Sequence, residues 1–284
     1  MAASEPQSAR QNAPGRLAAF ADVAEPASQK LTIVPQTDTP QLRTWRHRGT
    51  SRRLALSFSG VGFDHRASPE YQFSKIASAN GRDNVLFIAE PKRSWLNDEG
   101  LIEAIVSEAK AFAEEIDAEE IVTLGFSMGA FSALVMSSYV PVTSAVALAP
   151  QFSVHPEIAG DDPRWMEWRK HIAHHRIRSV ADHHVPEIIY HVFHCIGPSE
   201  KLQRDRFPIA DNLFQVLLPK TGHGMPQRLR GGGVLYETIQ LSFNNRVGRV
   251  RELLQPLGAY RRTKRLFPML PPSSELPAKK EARA

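Results

Sequence analysis

The 284 residues predict an α/β domain with a mostly parallel sheet and helices on both faces. Three observations predict it. Short apolar runs such as Leu54-Ala55-Leu56 and Val85-Leu86-Phe87-Ile88 read as strands buried on both sides, the habit of parallel sheets. Stretches with apolar residues at helical spacing lie between these runs, so strands and helices alternate. Finally, Gly125-Phe126-Ser127-Met128-Gly129 falls between the apolar run 121–124 and the helix-like run 130–136: a strand, a sharp turn and a helix.

Taken in order, Leu31-Thr32-Ile33-Val34 and Leu42-Arg43-Thr44-Trp45 flank a Pro/Asp/Thr segment and read as a hairpin. The strand 54–58 ends at Ser59-Gly60-Val61-Gly62. A helix is expected over 71–79 and a strand over 84–88. Asn97 or Asp98 can cap a helix that places Leu101, Ile102, Ile105, Val106, Ala109 and Phe112 on one face. After the 121–136 unit, 144–148 reads as a strand stopped by Pro150. Strands at 188–196 and 213–218 follow, then helices from Val234 and over 245–254. Segment 151–186 interrupts the alternation and reads as a small lid inserted over the strand ends. It carries Trp165, Trp168 and a dense set of His and Arg residues. Residues 1–30 are expected to form a flexible arm, 31–258 the domain, and the basic, Pro-rich 259–284 a flexible tail.

Composition narrows the class. A hydrophobic fraction of 42% with 23% charged residues fits a soluble globular protein with a sizeable core. No apolar stretch approaches the roughly 20 residues that span a bilayer. The first residues lack the basic start and apolar run of a secretory signal. One cysteine, Cys195, excludes an internal disulfide framework and reads as a buried structural thiol. A cytoplasmic location is the resulting expectation. The net charge of +5 comes largely from Arg43 to Arg53 and from the tail. Without aromatic-interleaved basic motifs it reads as solvated ends, so no nucleic-acid partner is expected.

The glycine-flanked serine is the chemical centre of the chain. Its turn lifts the Ser127 hydroxyl above the sheet and aims helix N–H groups at whatever it attacks. A serine hydroxyl is a poor nucleophile at neutral pH and needs a base, which in turn needs an orienting carboxylate. Leu217-Leu218-Pro219-Lys220-Thr221-Gly222-His223-Gly224 supplies a histidine on a glycine-flanked loop after a strand, so His223 is the candidate base. The preceding strand ends in Gly197-Pro198-Ser199-Glu200, with Asp205 five residues on. Glu200 is the preferred acid and Asp205 the alternative. The oxyanion of acyl transfer needs fixed donors. The N–H of Met128 is one candidate, and that of Val61 or Gly60 the second. Trp95, after the 84–88 strand, and Phe126, inside the elbow, are candidate substrate-binding side chains. His171, His174 and His175 would share a face if their segment were helical, but no Cys or H-E-x-x-H pattern accompanies them, and no metal is expected.

Over residues 54–241 these motifs, in the order Ser127, Glu200, His223, resemble the α/β-hydrolase superfamily and its serine esterase-like members. The resemblance implies an eight-strand, mostly parallel sheet. It also implies a two-step reaction through an acyl-serine on Ser127, with His223 as general base, Glu200 as acid and no cofactor. Two departures stand out. Glu holds the acid position where most members have Asp, and Ser-Gly-Val-Gly stands where many lipases have His-Gly-Gly-Gly. The function expected is a serine hydrolase for a small-molecule ester or thioester. An acyltransferase on the same fold and a non-catalytic binding module are the alternatives. Oligomeric state is not legible.

Overall fold

A computed structural model describes residues 30–275 except Phe63, His65 and Thr221. The expected arm and residues 276–284 of the expected tail therefore lie outside the described residues. Nine strands form one sheet: β1 (Ile33–Asp38), β2 (Arg43–His47), β3 (Arg53–Phe58), β4 (Asn84–Ala89), β5 (Glu120–Phe126), β6 (Val142–Leu148), β7 (Ile189–Cys195), β8 (Leu213–Leu218) and β9 (Tyr260–Arg261). Their order is β1-β2-β4-β3-β5-β6-β7-β8-β9. The strands from β4 to β8 in that order run parallel, the β1–β2 hairpin joins β4 antiparallel, and β9 closes the other edge antiparallel to β8.

The helices are α1 (Ser74–Ala77), α2 (Leu101–Glu115), α3 (Met128–Met136), α4 (Pro156–Ala159), α5 (Met166–Arg169), α6 (Pro198–Arg204), α7 (Met225–Gly231), α8 (Leu235–Phe243) and α9 (Val247–Leu254). Strand side chains alternate between two cores, as the two-residue period of a pleated strand requires. Leu54, Leu56, Phe58, Leu86 and Ile88 pack with α2 and α3 on one face. Ala55, Val85, Phe87, Val122 and Leu124 pack with α7, α8 and α9 on the other. Among the described residues no helix is long and apolar enough to cross a membrane.

Several expectations need correction. The sheet has nine strands rather than eight, because the two-residue β9 is too short to carry any periodicity. The tail expected to be loose from 259 is docked at its start. Arg262 is buried and donates to the carbonyls of Arg204, Asp205 and Phe207 and to Gln215 Oε1. One guanidinium thus ties together buried acceptors from 204 to 215, which composition does not reveal. The helix expected over 71–79 shrinks to α1, because Phe73, Ala79 and Asn80 take left-handed backbone conformations. Helix α2 is preceded by Gly100, not capped by Asn97 or Asp98. The Asn97 amide instead donates to the carbonyls of Ser94 and Trp95 and accepts from the Ile177 N–H.

The chain crosses from β3 to β4 on one side, then places β5 on the other side of β3. Loops leaving β3 and β5 therefore diverge, and a crevice opens at the carboxyl ends of these strands, where open parallel sheets bind ligands. The loop 59–62, Ser127 and the 222–224 loop all meet there.

Candidate active site

Ser127 sits between β5 and α3 with φ 56° and ψ −120°, a strained conformation for a side-chain-bearing residue. Its neighbours impose glycine. A Cβ on Gly125 would drive into the Gly129 carbonyl, and one on Gly129 into the Phe58 carbonyl. The Ser127 N–H is held by the Leu148 carbonyl at 2.9 Å, which ties the turn to β6.

Three sequence-distant side chains converge here. Ser127 Oγ lies 2.8 Å from His223 Nε2, and His223 Nδ1 lies 3.0 Å from Glu200 Oε1. Glu200 enters from α6, after β7, and His223 from the loop after β8. The Glu200 side chain is 1% exposed and that of His223 26%, so the carboxylate is sealed while the imidazole meets the crevice. Phe126 and Trp165 contact the imidazole ring, at centroid distances of 5.0 Å and 5.9 Å. Burial pushes the Glu200 carboxyl up, but the hydrogen bond and charge of His223, then Arg164 and His194, outweigh it and hold the group below its ordinary value. Arg164 Nη1 reaches Glu200 Oε1 at 2.8 Å while its Nε and Nη2 hold Asp162.

The alternative acid is elsewhere. Asp205 is buried and paired with Arg204 at 2.7 Å. Its backbone carbonyl serves Arg262 and Leu270. A crevice of about 290 Å³ stands over Ser127, lined by Gly60, Val61, Gln72, Phe126, Trp165 and Gln227 among others. Phe126 thus borders it. Trp95 does not: it is fully buried, because left-handed backbone at Arg93, Trp95 and Leu96 turns the indole into the core beside α2. The Gly60 N–H donates to Gln72 Oε1 at 3.3 Å, and the Val61 carbonyl accepts from Arg93 Nε at 2.8 Å.

The histidine-rich segment is not one helical face. Helix α5 ends at Arg169, before these histidines; His171 and His174 line a separate polar depression, and His175 packs on His155. Among the described residues no group of three or more His, Cys, Asp or Glu side chains is arranged to hold a metal ion. Segment 151–186 starts at the carboxyl end of β6, sends Trp165 to the crevice and Arg164 to Glu200, and returns past the end of α3, where His183 meets Ser138 and Tyr139.

Sequence reasoning missed Arg164 and Gln151 as neighbours of this cluster. Gln151 Nε2 donates to Ser127 Oγ at 3.2 Å. A signal existed for Gln151, which directly follows β6 where crevice residues are expected. None existed for Arg164, whose partner lies 36 positions away.

No protein-family model matches the sequence, and no curated protein matches it. Solved structures do. The capsule O-acetyltransferase of Neisseria meningitidis serogroup A is 14% identical with a TM-score of 0.51, over 73% of this chain and 94% of that one. The glycosylation-associated protein (Gap123) complex of Streptococcus agalactiae is 12% identical with a TM-score of 0.50, over 78% of this chain and 46% of that one, so the chain spans about half of its length. A Xanthomonas campestris protein described as an a/b serine hydrolase without lid is 11% identical with a TM-score of 0.45, over 80% and 94%. At these identities the likeness is one of fold alone: a mostly parallel sheet with helices on its faces, the α/β-hydrolase fold.

Proposed function

We propose that the protein is a serine hydrolase that cleaves a small carboxylic ester or thioester through an acyl-serine. The observation that carries this reading is the unbroken line from Ser127 Oγ through His223 to Glu200, with contacts of 2.8 Å and 3.0 Å. In this reading His223 Nε2 takes the hydroxyl proton as Oγ attacks the acyl carbon. Glu200 stabilises the imidazolium and fixes the ring with its other N–H toward the carboxylate. The backbone N–H of Met128, at the start of α3, faces the charge that develops on the carbonyl oxygen. Val61 is the better second donor, since the Gly60 N–H already serves Gln72. The leaving alcohol or thiol collects its proton from His223, and water repeats the cycle on the acyl-enzyme. No step calls for a metal or organic cofactor.

A fluorophosphonate probe should label Ser127, and Ser127→Ala should abolish both labelling and p-nitrophenyl acetate hydrolysis. A folded protein that resists labelling would sink the proposal.

Acyl transfer to an alcohol is the second reading. The Neisseria capsule O-acetyltransferase shares the fold, and the crevice presents Gln72 and Gln227 amides beside Trp165, a lining able to hold a polar acceptor. Product analysis with added alcohols separates the two: transfer exceeding hydrolysis at millimolar acceptor would assign a transferase.

A further inference from the structure

Resting on the acyl-serine reading, we infer that Gln151 is a further catalytic residue, which stabilises Ser127 Oγ as the departing oxygen when the acyl-enzyme breaks down. Gln151 is buried directly behind the nucleophile. Its Oε1 lies 3.2 Å from Trp95 Nε1, and its Nε2 lies 3.2 Å from Ser127 Oγ.

Donor chemistry fixes the direction of this chain. An indole N–H can only donate, so the Gln151 carbonyl must face Trp95 and its NH2 must face Ser127. Ser127 Oγ therefore accepts from Gln151, which leaves its own proton pointing at His223 Nε2. The same reasoning runs on to the carboxylate: Glu200 accepts from His223 Nδ1–H, so Nε2 is the bare nitrogen. Five groups, from Trp95 to Glu200, then hold a single proton arrangement, the one in which the hydroxyl can be deprotonated. The buried Trp95, which does not line the crevice, thus gains a role in setting the amide.

The consequence is unequal for the two half-reactions. Acylation starts from a hydroxyl oxygen that already accepts well from Gln151. Deacylation starts from an ester oxygen, a poor acceptor. Water attacks the acyl carbon and gives a proton to His223 Nε2. The tetrahedral intermediate then collapses: the bond from carbon to Oγ breaks, its electron pair passes to Oγ, and Oγ takes the proton back from His223 as the acid departs. Negative charge grows on Oγ during that collapse, so the Gln151 bond strengthens most in this step.

The test is stopped-flow release of p-nitrophenolate from p-nitrophenyl acetate, comparing parent, Gln151→Met, Trp95→Phe and the double variant, each checked by circular dichroism and melting. Gln151→Met should lower the steady-state rate, set by deacylation, by roughly tenfold while the burst rate changes less than about threefold. Trp95→Phe, which keeps the amide but frees it to flip, should show a smaller fall of the same kind and add nothing in the Gln151→Met background. If Gln151→Met lowers burst and steady-state rates alike, or neither, while Ser127 is still acylated, the inference fails and the hydrolase reading stands. The Trp95→Phe pattern decides the matter should Gln151→Met not fold. If the parent itself forms no acyl-Ser127, both fail together.

Discussion

Two glutamates flank the elbow helix α3, both buried, and their carboxyl groups are shifted in opposite directions. Glu90, just after β4, accepts from the hydroxyls of Ser94 and Ser132 and from the Leu96 N–H, each at 3.0–3.1 Å. Glu200, after β7, accepts from His223 and Arg164. Burial pushes the Glu90 carboxyl above its ordinary value, and its neutral donors offset this only in part. Burial pushes Glu200 the same way, yet cationic partners hold it below. Depth in the fold therefore does not set the direction of a carboxyl's shift; the partners do. Glu90 braces the turn beneath α3, whereas Glu200 faces the imidazole as an ionised group.

The largest effect expected from this contrast is on turnover. Glu200→Gln should lower kcat/KM on the order of 10³-fold, by removing the charge that supports the imidazolium. Glu90→Gln should leave it within about threefold, since the amide oxygen can still accept from Ser94 and Leu96 while its NH2 donates to Ser132 Oγ, which turns its own proton to the Met128 carbonyl. Equal losses would erase the distinction. Asp205→Asn comes next. It should cost roughly 3 kcal/mol of stability in urea titration, because buried Arg204 loses its counter-charge, with kcat of the folded protein unchanged. A collapse of kcat without loss of stability would return Asp205 to contention as the acid. Arg164→Met removes one cation from Glu200 and should lower kcat about tenfold with little change in KM.

The smallest effect is in stability against pH. Glu200 has a lowered folded value, so its contribution is present above the unfolded carboxyl value of about 4.3 and is lost as pH falls through the folded value. Glu90 has a raised folded value, so its contribution is full below about 4.3 and is lost as pH rises through the folded value. Melting curves from pH 4 to pH 8 should therefore show Glu90→Gln gaining on the parent by a few degrees as pH rises. Glu200→Gln should lose ground over the acid part of the same range. The same sign for both would break the comparison.

Much of this was legible beforehand because it is local. Gly125 and Gly129 announce the elbow, since backbone contacts at both positions leave no room for a side chain. His223 after β8 and Glu200 after β7 were readable from their places behind apolar runs. Trp95 was misplaced because three left-handed residues, not its neighbourhood in the chain, turn it inward. The docked start of the tail is not legible because the partners of Arg262, at 204–207 and 215, sit far back in the sequence.

The chain alone specified the main strands, the longer helices and which serine is raised on a glycine turn, because period, steric limits and short-range order act over a few residues. That Glu200 faces His223 while Asp205 pairs with Arg204, the placing of Arg164, and the amide of Gln151 behind the hydroxyl came from the folded molecule. Those depend on hydrogen bonds a few ångströms long between residues tens of positions apart, and no local pattern encodes such distances.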